Sequence, residues 1–374
     1  MAGLDLNVNK STHMNTLQHI PVWVFAVLAM WTSSTSHAQV GMRQIQSGNM
    51  PITVVYPTTT AGQAMTQGDF TIQVAQNAVP LPATTGKRAL IVLSHGTAGS
   101  DLPDHSLAAT LARAGFVVAQ PLHRGDNWQD FSRAGPESWK TRPQDVLDAI
   151  DAVAQDPVLA TLVNTQRVGL HGMSAGGVTG LVLAGAQWRL LNVVQHCAQH
   201  LDEDIGFCLN GLAQDPAQQV LRKSQYAMAR MLTEANAPIS FSTLQGGLST
   251  DASSDPRPDR RIAAVSLLVP VAAIFSPESL ARIRIPVGLT TAGNDGVVLP
   301  RFHSGHVLAH CTTCTVLSDH ASAGHFDWLS PWPASAAKSV ADTQMRGGLP
   351  NPTFSDDARQ TAFERIALFF KQQL

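Results

Sequence analysis

Short apolar segments that alternate with helix-like segments constrain the fold of this chain more than any other feature of its sequence. Residues 89–93, 116–119, 168–171 and 287–291 are segments of this kind, and each is mostly apolar. A strand that is apolar at successive positions is buried on both faces, as in a parallel sheet covered by helices. Helical periodicity lies between the segments, for example over residues 105–114. The alternation therefore predicts an α/β fold with a mostly parallel sheet and helices on both of its faces.

The other predicted elements surround this core. Antiparallel starter strands are expected at 40–46, 52–56 and 70–74, later strands at 262–270 and 315–317, and helices at 142–155, 277–283 and 362–370. Residues 187–261 break the alternation, and a segment of about 75 residues is too long for a simple connection. We therefore expect an inserted cap or lid there, with a helix near residues 215–234, inside one domain that spans residues 39–374.

The first 38 residues are predicted to be a signal peptide that is cleaved after Ala38. Residues 20–30 are uncharged and apolar, and these eleven positions are too few for a bilayer-spanning helix, which needs about 20. Ser36 and Ala38 complete a small-x-small cleavage pattern behind them. A buried first helix is the alternative, but the Ser- and Thr-rich residues 32–36 continue a helix poorly. We therefore expect an exported protein, periplasmic or extracellular, without a stable membrane span.

Export makes the four cysteines candidates for disulfide bonds. They stand as two pairs that are close in sequence, Cys197 with Cys208 and Cys311 with Cys314. Four cysteines allow three connectivities, and sequence proximity favours these two pairs. His306 and His310 precede the second pair at spacings that suit zinc, which is the alternative interpretation of that segment. Disulfides are favoured because an oxidising compartment promotes them.

The charge balance excludes one class of partner. The chain carries 25 Lys and Arg against 27 Asp and Glu, for a net charge of −2, and has no basic block. A nucleic-acid-binding surface is therefore not expected. With 44% hydrophobic residues and only 14% charged residues, against roughly 25% in an average soluble chain, the sequence has ample material for a buried core. We expect a folded, monomeric enzyme.

The strongest chemical motif is the Gly-x-Ser-x-Gly pattern formed by Gly172, Ser174 and Gly176. It lies between a predicted buried strand and an apolar helix, and Gly177 extends it. A strand that turns directly into a helix strains the central residue and forces its side chain outward, while the crowded flanking positions accept only very small residues. The bare pattern is weak, but this context predicts that Ser174 is a nucleophile.

A nucleophilic serine needs a base and an acid that orients the base, and this type of elbow takes them in the chain order Ser, acid, His. Asp295 follows the predicted strand at 287–291, and His325 follows the last predicted strand. We assign them as acid and base. The rival acids are Asp319 and Asp327, and the rival bases are His303, His306, His310 and His320; none combines the expected strand end with the chain order as well.

Two backbone N–H groups are expected to bind the oxyanion. One belongs to Ala175, which follows the nucleophile at a helix start, and the other to Thr97, in the loop after the strand at 89–93. Arg124 and Asp126 follow the strand at 116–119, where they could pair with each other or contact substrate; a structural role is favoured.

Four motifs together resemble the α/β-hydrolase superfamily. They are Leu-Ser-His-Gly at 93–96, Gly-Met-Ser-Ala-Gly-Gly at 172–177, Gly-Asn-Asp at 293–295 and Gly-His-Phe at 324–326. Within it, the chain is similar to the exported dienelactone-hydrolase-like group related to platelet-activating-factor acetylhydrolases, over residues 40–370 except for the cap. The resemblance implies a Ser-Asp-His esterase without metal or cofactor. Dienelactone hydrolases carry a cysteine where this chain has Ser174, which argues against dienelactone as the substrate.

The leading functional hypothesis is a serine carboxylic-ester hydrolase of the esterase or lipase kind, acting on a small-molecule or polymeric ester. An amidase, peptidase or acyltransferase with the same triad is the second hypothesis. The third is a non-catalytic binding protein on a hydrolase fold. Because such proteins usually lose a triad member and all three candidates are present here, the third is disfavoured.

Overall fold

A mixed sheet forms the centre of the protein in this computed structural model, which describes residues 39–209, 216–235, 258–335, 351 and 353–374. Its strands in the described residues are β1 (Gln39–Ser47), β2 (Met50–Thr58), β3 (Gln63–Gln67), β4 (Phe70–Gln76), β5 (Arg88–Ser94), β6 (Val117–Pro121), β7 (Val163–Met173), β8 (Ile262–Leu268), β9 (Val287–Ala292) and β10 (Cys314–His320). They lie in the order β10-β9-β8-β7-β5-β6-β2-β1-β4-β3. The predicted signal peptide at 1–38 lies outside the described residues.

The parallel half of the sheet runs from β6 to β10, as the sequence predicts. Strand β5 illustrates why its residues are apolar at successive positions. Leu90 and Val92 pack into the core on one face, whereas Ile91 and Leu93 pack into the core on the other. Because side chains alternate across a strand, only a strand covered on both faces needs apolar residues at every position.

The N-terminal strands differ from the prediction in two respects. β1 and β2 form an antiparallel hairpin, and β2 joins β6 antiparallel, but β4 pairs with β1 in parallel. The prediction of an antiparallel arrangement is therefore wrong for the pair of β4 with β1. β3 forms a hairpin with β4 at the end of the sheet and was not predicted, because its mostly exposed residues give no apolar alternation.

Helices cover both faces of the sheet. In the described residues they are α1 (His105–Arg113), α2 (Pro136–Gln155), α3 (Ala175–Leu183), α4 (Leu190–His200), α5 (Ile205–Cys208), α6 (Pro216–Glu234), α7 (Pro277–Leu280), α8 (Ser304–His310) and α9 (Asp356–Gln373). Helices α2 and α3 contribute to the core on one face, and α1 and α9 to the core on the other. In the described part of the chain, no helix is both long enough and apolar enough to cross a membrane.

Two helices begin earlier than their sequence patterns predict. Helix α2 starts at Pro136 and not at Arg142, and it contains Pro143 in its interior. Pro is favoured in the first turn of a helix, so the sequence around Pro143 suggests a helix start near Arg142. The observed start lies six residues earlier, at Pro136. Helix α9 starts at Asp356, where the Ser355 hydroxyl accepts a hydrogen bond from the Ala358 N–H at 3.1 Å. Its first turn is polar, and an apolar pattern therefore does not detect it.

The predicted cap is described in part, since residues 210–215 and 236–257 lie outside the described residues. Helices α4 and α5 are joined by the disulfide Cys197–Cys208. Helix α6 packs on α4 through Ala229, which contacts Val194 and Ala198. The described residues of the predicted cap thus form a small helical layer with its own apolar cluster and a covalent link.

The second disulfide joins Cys311 and Cys314, between the end of α8 and the start of β10. The sulfur atoms of a disulfide are not thiolates and cannot ligate zinc. His306, in turn, donates from Nε2 to the Phe275 carbonyl at 2.8 Å. The zinc alternative for this segment is therefore wrong for the structure described here.

Candidate active site

Ser174 occupies a strained turn between β7 and α3. Its φ of 54° and ψ of −114° lie in a region that non-glycine residues rarely adopt, at a cost of about 1–3 kcal/mol. The surrounding backbone holds this conformation, because the Ser174 N–H donates to the Leu268 carbonyl at 3.0 Å and the Ser174 carbonyl accepts from the Val271 N–H at 2.9 Å. The turn is therefore fixed from the neighbouring strand β8 and from the loop that follows it.

Three glycines allow this turn to pack against its neighbours. A Cβ atom on Gly172 would lie 2.1 Å from the Gly176 carbonyl oxygen, and one on Gly176 would lie 1.9 Å from the Ser94 carbonyl oxygen. A Cβ on Gly177 would lie 2.4 Å from Pro270 Cβ. Since these distances are shorter than any real Cβ contact, no other residue fits these positions without backbone movement.

The structure brings the predicted nucleophile, base and acid together. The Ser174 Oγ lies 3.0 Å from His325 Nε2, and His325 Nδ1 lies 2.8 Å from Asp295 Oδ2. The second carboxylate oxygen of Asp295 accepts the N–H groups of Val297 and Val298, both at 2.9 Å. This assigns Nδ1–H of His325 to the carboxylate and leaves Nε2 to accept the serine proton. The arrangement can therefore generate a serine alkoxide and stabilise the imidazolium that results.

The rival acids are engaged elsewhere. Asp319 accepts a hydrogen bond from the Thr291 hydroxyl at 2.5 Å. Asp327 accepts the Gly324 N–H at 2.7 Å and the Asn351 N–H at 2.5 Å, and so shapes the loop that carries His325.

The rival bases also lie apart from Ser174. Their contacts are with Asp204 for His303, with the Phe275 carbonyl for His306, with the His306 ring for His310, and with Ser322 and the Phe354 ring for His320.

The loop after β5 lies directly beside the nucleophile. A Cβ on Gly96 would be 3.4 Å from Ser174 Cβ, so the chain passes Ser174 at van der Waals distance. The N–H of Ala98 in this loop donates to Asp126 Oδ1 at 2.8 Å and is not available to a ligand. Ala175 is the first residue of α3, where backbone N–H groups have no partner within the helix. Thr97 and Ala175 therefore lie on the two segments that flank Ser174.

Arg124 and Asp126 have structural partners, but they do not pair with each other. Arg124 contacts Asp145 at 2.6 Å and Asp148 at 2.9 Å. Asp126 pairs at 2.8 Å with Arg142, a fully buried residue that was not predicted to belong to the site.

A sequence signal for Arg142 existed. It lies on the same helical face as Val146, Ile150 and Val153, the face that is buried in α2. A charged residue on an apolar helical face indicates a buried polar partner.

A second Ser-His-Asp chain lies behind the elbow. The Ser94 Oγ is 2.8 Å from His123 Nε2, and His123 Nδ1 is 3.1 Å from Asp145 Oδ2. All three side chains are buried, and burial lowers the pKa of His123 well below its ordinary value. Since a Cβ on Gly176 would lie only 3.1 Å from the Ser94 Oγ, the elbow covers this hydroxyl and a substrate carbonyl cannot reach it.

One cluster in the described residues has the residue types of a metal site. Ligand atoms of His196, Asp204 and His303 lie within 4.8 Å of one another. The Ala272 N–H donates to His303 Nδ1 at 2.9 Å, so the ring proton is on Nε2, which lies 2.9 Å from Asp204 Oδ2. A metal ligand needs an unprotonated nitrogen. The cluster therefore fits a carboxylate that accepts hydrogen bonds from two histidines better than it fits a metal ion.

The same cluster connects the predicted cap segment to the turn that carries Asp295. Burial raises the pKa of Asp204, but the hydrogen bonds from the two histidines outweigh it and leave the pKa below its ordinary value. Its other carboxylate oxygen accepts the Leu299 N–H at 3.3 Å. A Cβ on Gly206 would lie 2.5 Å from the Gly296 carbonyl oxygen, next to Asp295. The start of α5 thus packs closely against the turn that holds Asp295.

Comparisons with known proteins agree on the fold. The prolyl oligopeptidase family matches residues 104–195, a range that includes Ser174 and α3 but not Asp295 or His325. Among solved structures, the chain is similar to a ferulic acid esterase from Streptomyces cinnamoneus, with a TM-score of 0.55, 16% identity and 92% of each chain covered. No curated protein matches the chain. Together with the sheet order and the elbow, these findings confirm the predicted α/β-hydrolase fold.

Proposed function

We propose that the protein is an exported serine hydrolase that cleaves carboxylic esters through Ser174, His325 and Asp295. One observation carries the proposal: the Ser174 hydroxyl, on a strained strand-to-helix turn, lies 3.0 Å from His325 Nε2 while Asp295 holds the other ring nitrogen at 2.8 Å. A nucleophile, a base and an orienting acid in hydrogen-bond contact are what covalent acyl transfer requires.

In the proposed acylation step, Ser174 Oγ attacks the ester carbonyl carbon while His325 Nε2 takes the hydroxyl proton. The resulting imidazolium gives this proton to the leaving alcohol as the C–O bond breaks. Asp295 keeps Nδ1–H in place and stabilises the positive ring. In deacylation, His325 Nε2 takes a proton from the attacking water and then gives it to Ser174 Oγ as the acyl-enzyme bond breaks. This step releases the acid and restores the serine.

The oxyanion that forms during both steps needs hydrogen-bond donors. We assign the N–H groups of Ala175 and Thr97 to this role. The first follows the nucleophile at the start of α3, and the second lies in the loop whose Gly96 approaches Ser174. Removal of a single such donor typically lowers turnover by about 10²–10³-fold.

Amide hydrolysis is the second candidate function, because the family match at residues 104–195 is to the prolyl oligopeptidase family. The structural similarity to a ferulic acid esterase, which covers 92% of the chain, supports ester hydrolysis as the first candidate. We place the protein in the dienelactone-hydrolase-like group on its four motifs. Two disulfides support export, because oxidising compartments favour them. We expect no cofactor, a cleaved leader at 1–38 and a cap over part of 187–261.

The decisive experiment combines turnover with site mapping. The purified mature protein is assayed with p-nitrophenyl esters of increasing acyl length, followed by polymeric esters, and with the p-nitroanilide of the best acid. A fluorophosphonate then labels the active serine, and the labelled peptide is identified by mass spectrometry. We expect ester turnover to exceed anilide turnover, label on Ser174, and no turnover in Ser174→Ala.

The mapped serine also serves as an internal control, because Ser94 has a similar hydrogen-bonded chain but is covered. Label on Ser94, or wild-type kcat/KM in Ser174→Ala, would contradict the nucleophile assignment. Anilide turnover above ester turnover would instead favour the amidase or peptidase.

A further inference from the structure

Arg142 is a fully buried cation whose hydrogen bonds converge on the loop after β5. Its Nη1 donates to the His95 carbonyl at 2.5 Å, and its Nη2 donates to the Gly96 carbonyl at 3.0 Å. Its Nε and Nη2 lie 2.9 and 2.8 Å from the Asp126 carboxylate. One planar guanidinium therefore fixes two successive carbonyl groups and one carboxylate at the same time, which a lysine ammonium cannot do with the same geometry.

These contacts determine where the N–H groups of the loop point. In a trans peptide unit, the carbonyl and the following N–H point in opposite directions. Because the Gly96 carbonyl points to Arg142, the N–H of Thr97 points away from Arg142. Gly96 itself lies against Ser174, with a Cβ there only 3.4 Å from the serine Cβ. The orientation of Thr97 N–H is thus imposed by the carbonyl on the far side of the same peptide unit.

Asp126 completes the arrangement from the other end of the loop. Its Oδ1 accepts the Ala98 N–H at 2.8 Å, and its Oδ2 accepts the Ser138 hydroxyl at 2.5 Å. Of the neighbouring N–H groups of Thr97 and Ala98, the second is therefore bound to Asp126. Ala98 adopts a positive φ of 51°, so the loop bends at this residue.

We propose that Arg142 and Asp126 are positioning residues that hold the Thr97 N–H in place for the oxyanion; this inference rests on the proposed function. A buried ion pair is weak evidence for stability, because the cost of desolvating both charges is large. Fixed dipoles at an oxyanion site, in contrast, lower the barrier without having to reorganise during the reaction. The contacts of Arg142 with two consecutive loop carbonyls are therefore assigned the role of fixing the loop that carries the Thr97 N–H.

The test uses the conservative variant Arg142→Lys and a matched control. Arg88 also donates to backbone carbonyls, those of Leu81, Pro82 and Gly115, but it lies at the opposite end of β5 from the loop. We expect Arg142→Lys to lower kcat by about 10- to 100-fold with KM changed less than about threefold, since one mispositioned oxyanion donor has an effect of this order. Arg88→Lys should keep wild-type kcat.

A second readout separates positioning from general damage. A trifluoromethyl ketone that matches the best ester forms a tetrahedral adduct with an oxyanion, whereas the corresponding methyl ketone reports ground-state binding. In Arg142→Lys, the affinity for the trifluoromethyl ketone should fall in parallel with kcat/KM, and the affinity for the methyl ketone should stay within about threefold of wild type.

A milder variant covers the case in which Arg142→Lys does not fold. Ser138→Ala removes the hydroxyl that binds Asp126 and should lower kcat by about three- to tenfold with the same inhibitor pattern. Wild-type kcat in folded Arg142→Lys, or in Ser138→Ala when the first variant is unfolded, would overturn the positioning role. An equal loss in Arg88→Lys would also overturn it. If wild-type protein lacks esterase activity, or Ser174→Ala retains it, the proposed function fails and not this inference alone.

Discussion

Replacing Ser174 by Gly and by Ala separates the chemistry of the elbow from its backbone strain. Both variants lack the nucleophilic hydroxyl, so both should lose ester hydrolysis by several orders of magnitude. Both also lose the contact from Oγ to His325 Nε2, which is 3.0 Å in the wild type. They differ only in the Cβ atom, which Ala keeps and Gly lacks. Because φ is 54° at this position, that atom is the source of the strain.

The expected difference follows from two opposing free energies. Relief of an unfavourable φ/ψ pair stabilises the Gly variant by about 1–3 kcal/mol. The greater freedom of Gly in the unfolded chain destabilises it by roughly 0.5–1 kcal/mol. We therefore expect Ser174→Gly to be more stable than Ser174→Ala by about 1 kcal/mol, within bounds of about 0 and 2.5 kcal/mol, which corresponds to about 2 °C in Tm for a domain of this size.

The assay is urea and thermal unfolding of both variants, with kcat/KM measured on the same preparations. Ala175→Gly provides a control of opposite sign, because Ala175 is the first residue of α3 and Gly in a helix costs up to about 1 kcal/mol. If Ser174→Ala proves as stable as Ser174→Gly or more so, the turn is not strained at the serine and the reasoning is refuted.

Three further predictions concern buried charges and the acid. Burial, with Asp101 nearby, raises the pKa of Asp104 to about 7, so its folded form keeps a proton that the unfolded form has lost above pH 4. Ionisation of Asp104 therefore destabilises the folded state increasingly as the pH rises from about 4 to 7. Asp104→Asn should be more stable than wild type by up to about 4 kcal/mol at pH 8 and of similar stability at pH 4. Equal urea midpoints of the two proteins at pH 8 would refute this. Burial lowers the pKa of His171 to about 3, so its contribution is lost as the pH falls below 6.5. His171→Asn should therefore lose about 2 kcal/mol less than wild type between pH 7 and pH 5 in urea unfolding, and an unchanged pH slope would contradict the assignment. Asp295→Asn should keep the fold but lower kcat by roughly 10⁴-fold, because the His325 imidazole can then adopt the wrong tautomer, as in the serine proteases. A wild-type rate of p-nitrophenyl ester hydrolysis in this variant would assign the acid to another residue.

The central part of the fold could be predicted because its causes are local. A strand buried on both faces must be apolar at each position, as Leu90 to Leu93 are, and this pattern is visible without any partner. The elbow is local in part, since a Cβ atom on Gly172 would meet the carbonyl of Gly176 four residues later, although Gly176 itself is crowded by the distant Ser94. A residue whose type is constrained by neighbours a few positions away can be recognised from the sequence alone.

The parts that escaped prediction depend on distant partners. Strand β3 is mostly exposed, shows no apolar alternation and is ordered by pairing with β4. Arg142 acquires its role from carbonyl groups that lie 46 and 47 residues away along the chain. Gly206 approaches the acid turn across a separation of 90 residues or more, which no local pattern encodes. The sequence therefore predicts the three side chains that meet at the candidate site but not the groups that hold its loops.

The covered Ser94–His123–Asp145 chain has a consequence for recognising active sites by geometry. Within the described residues, a three-residue template built on serine, histidine and aspartate would match twice, at oxygen-to-nitrogen distances of 2.8 and 3.1 Å for one copy and 3.0 and 2.8 Å for the other. Distances alone cannot rank the two matches. The unusual dihedral angles belong to one copy, and the other is sealed by a glycine backbone. Template searches that also score backbone torsion and a path for the incoming carbonyl would keep Ser174 and discard Ser94.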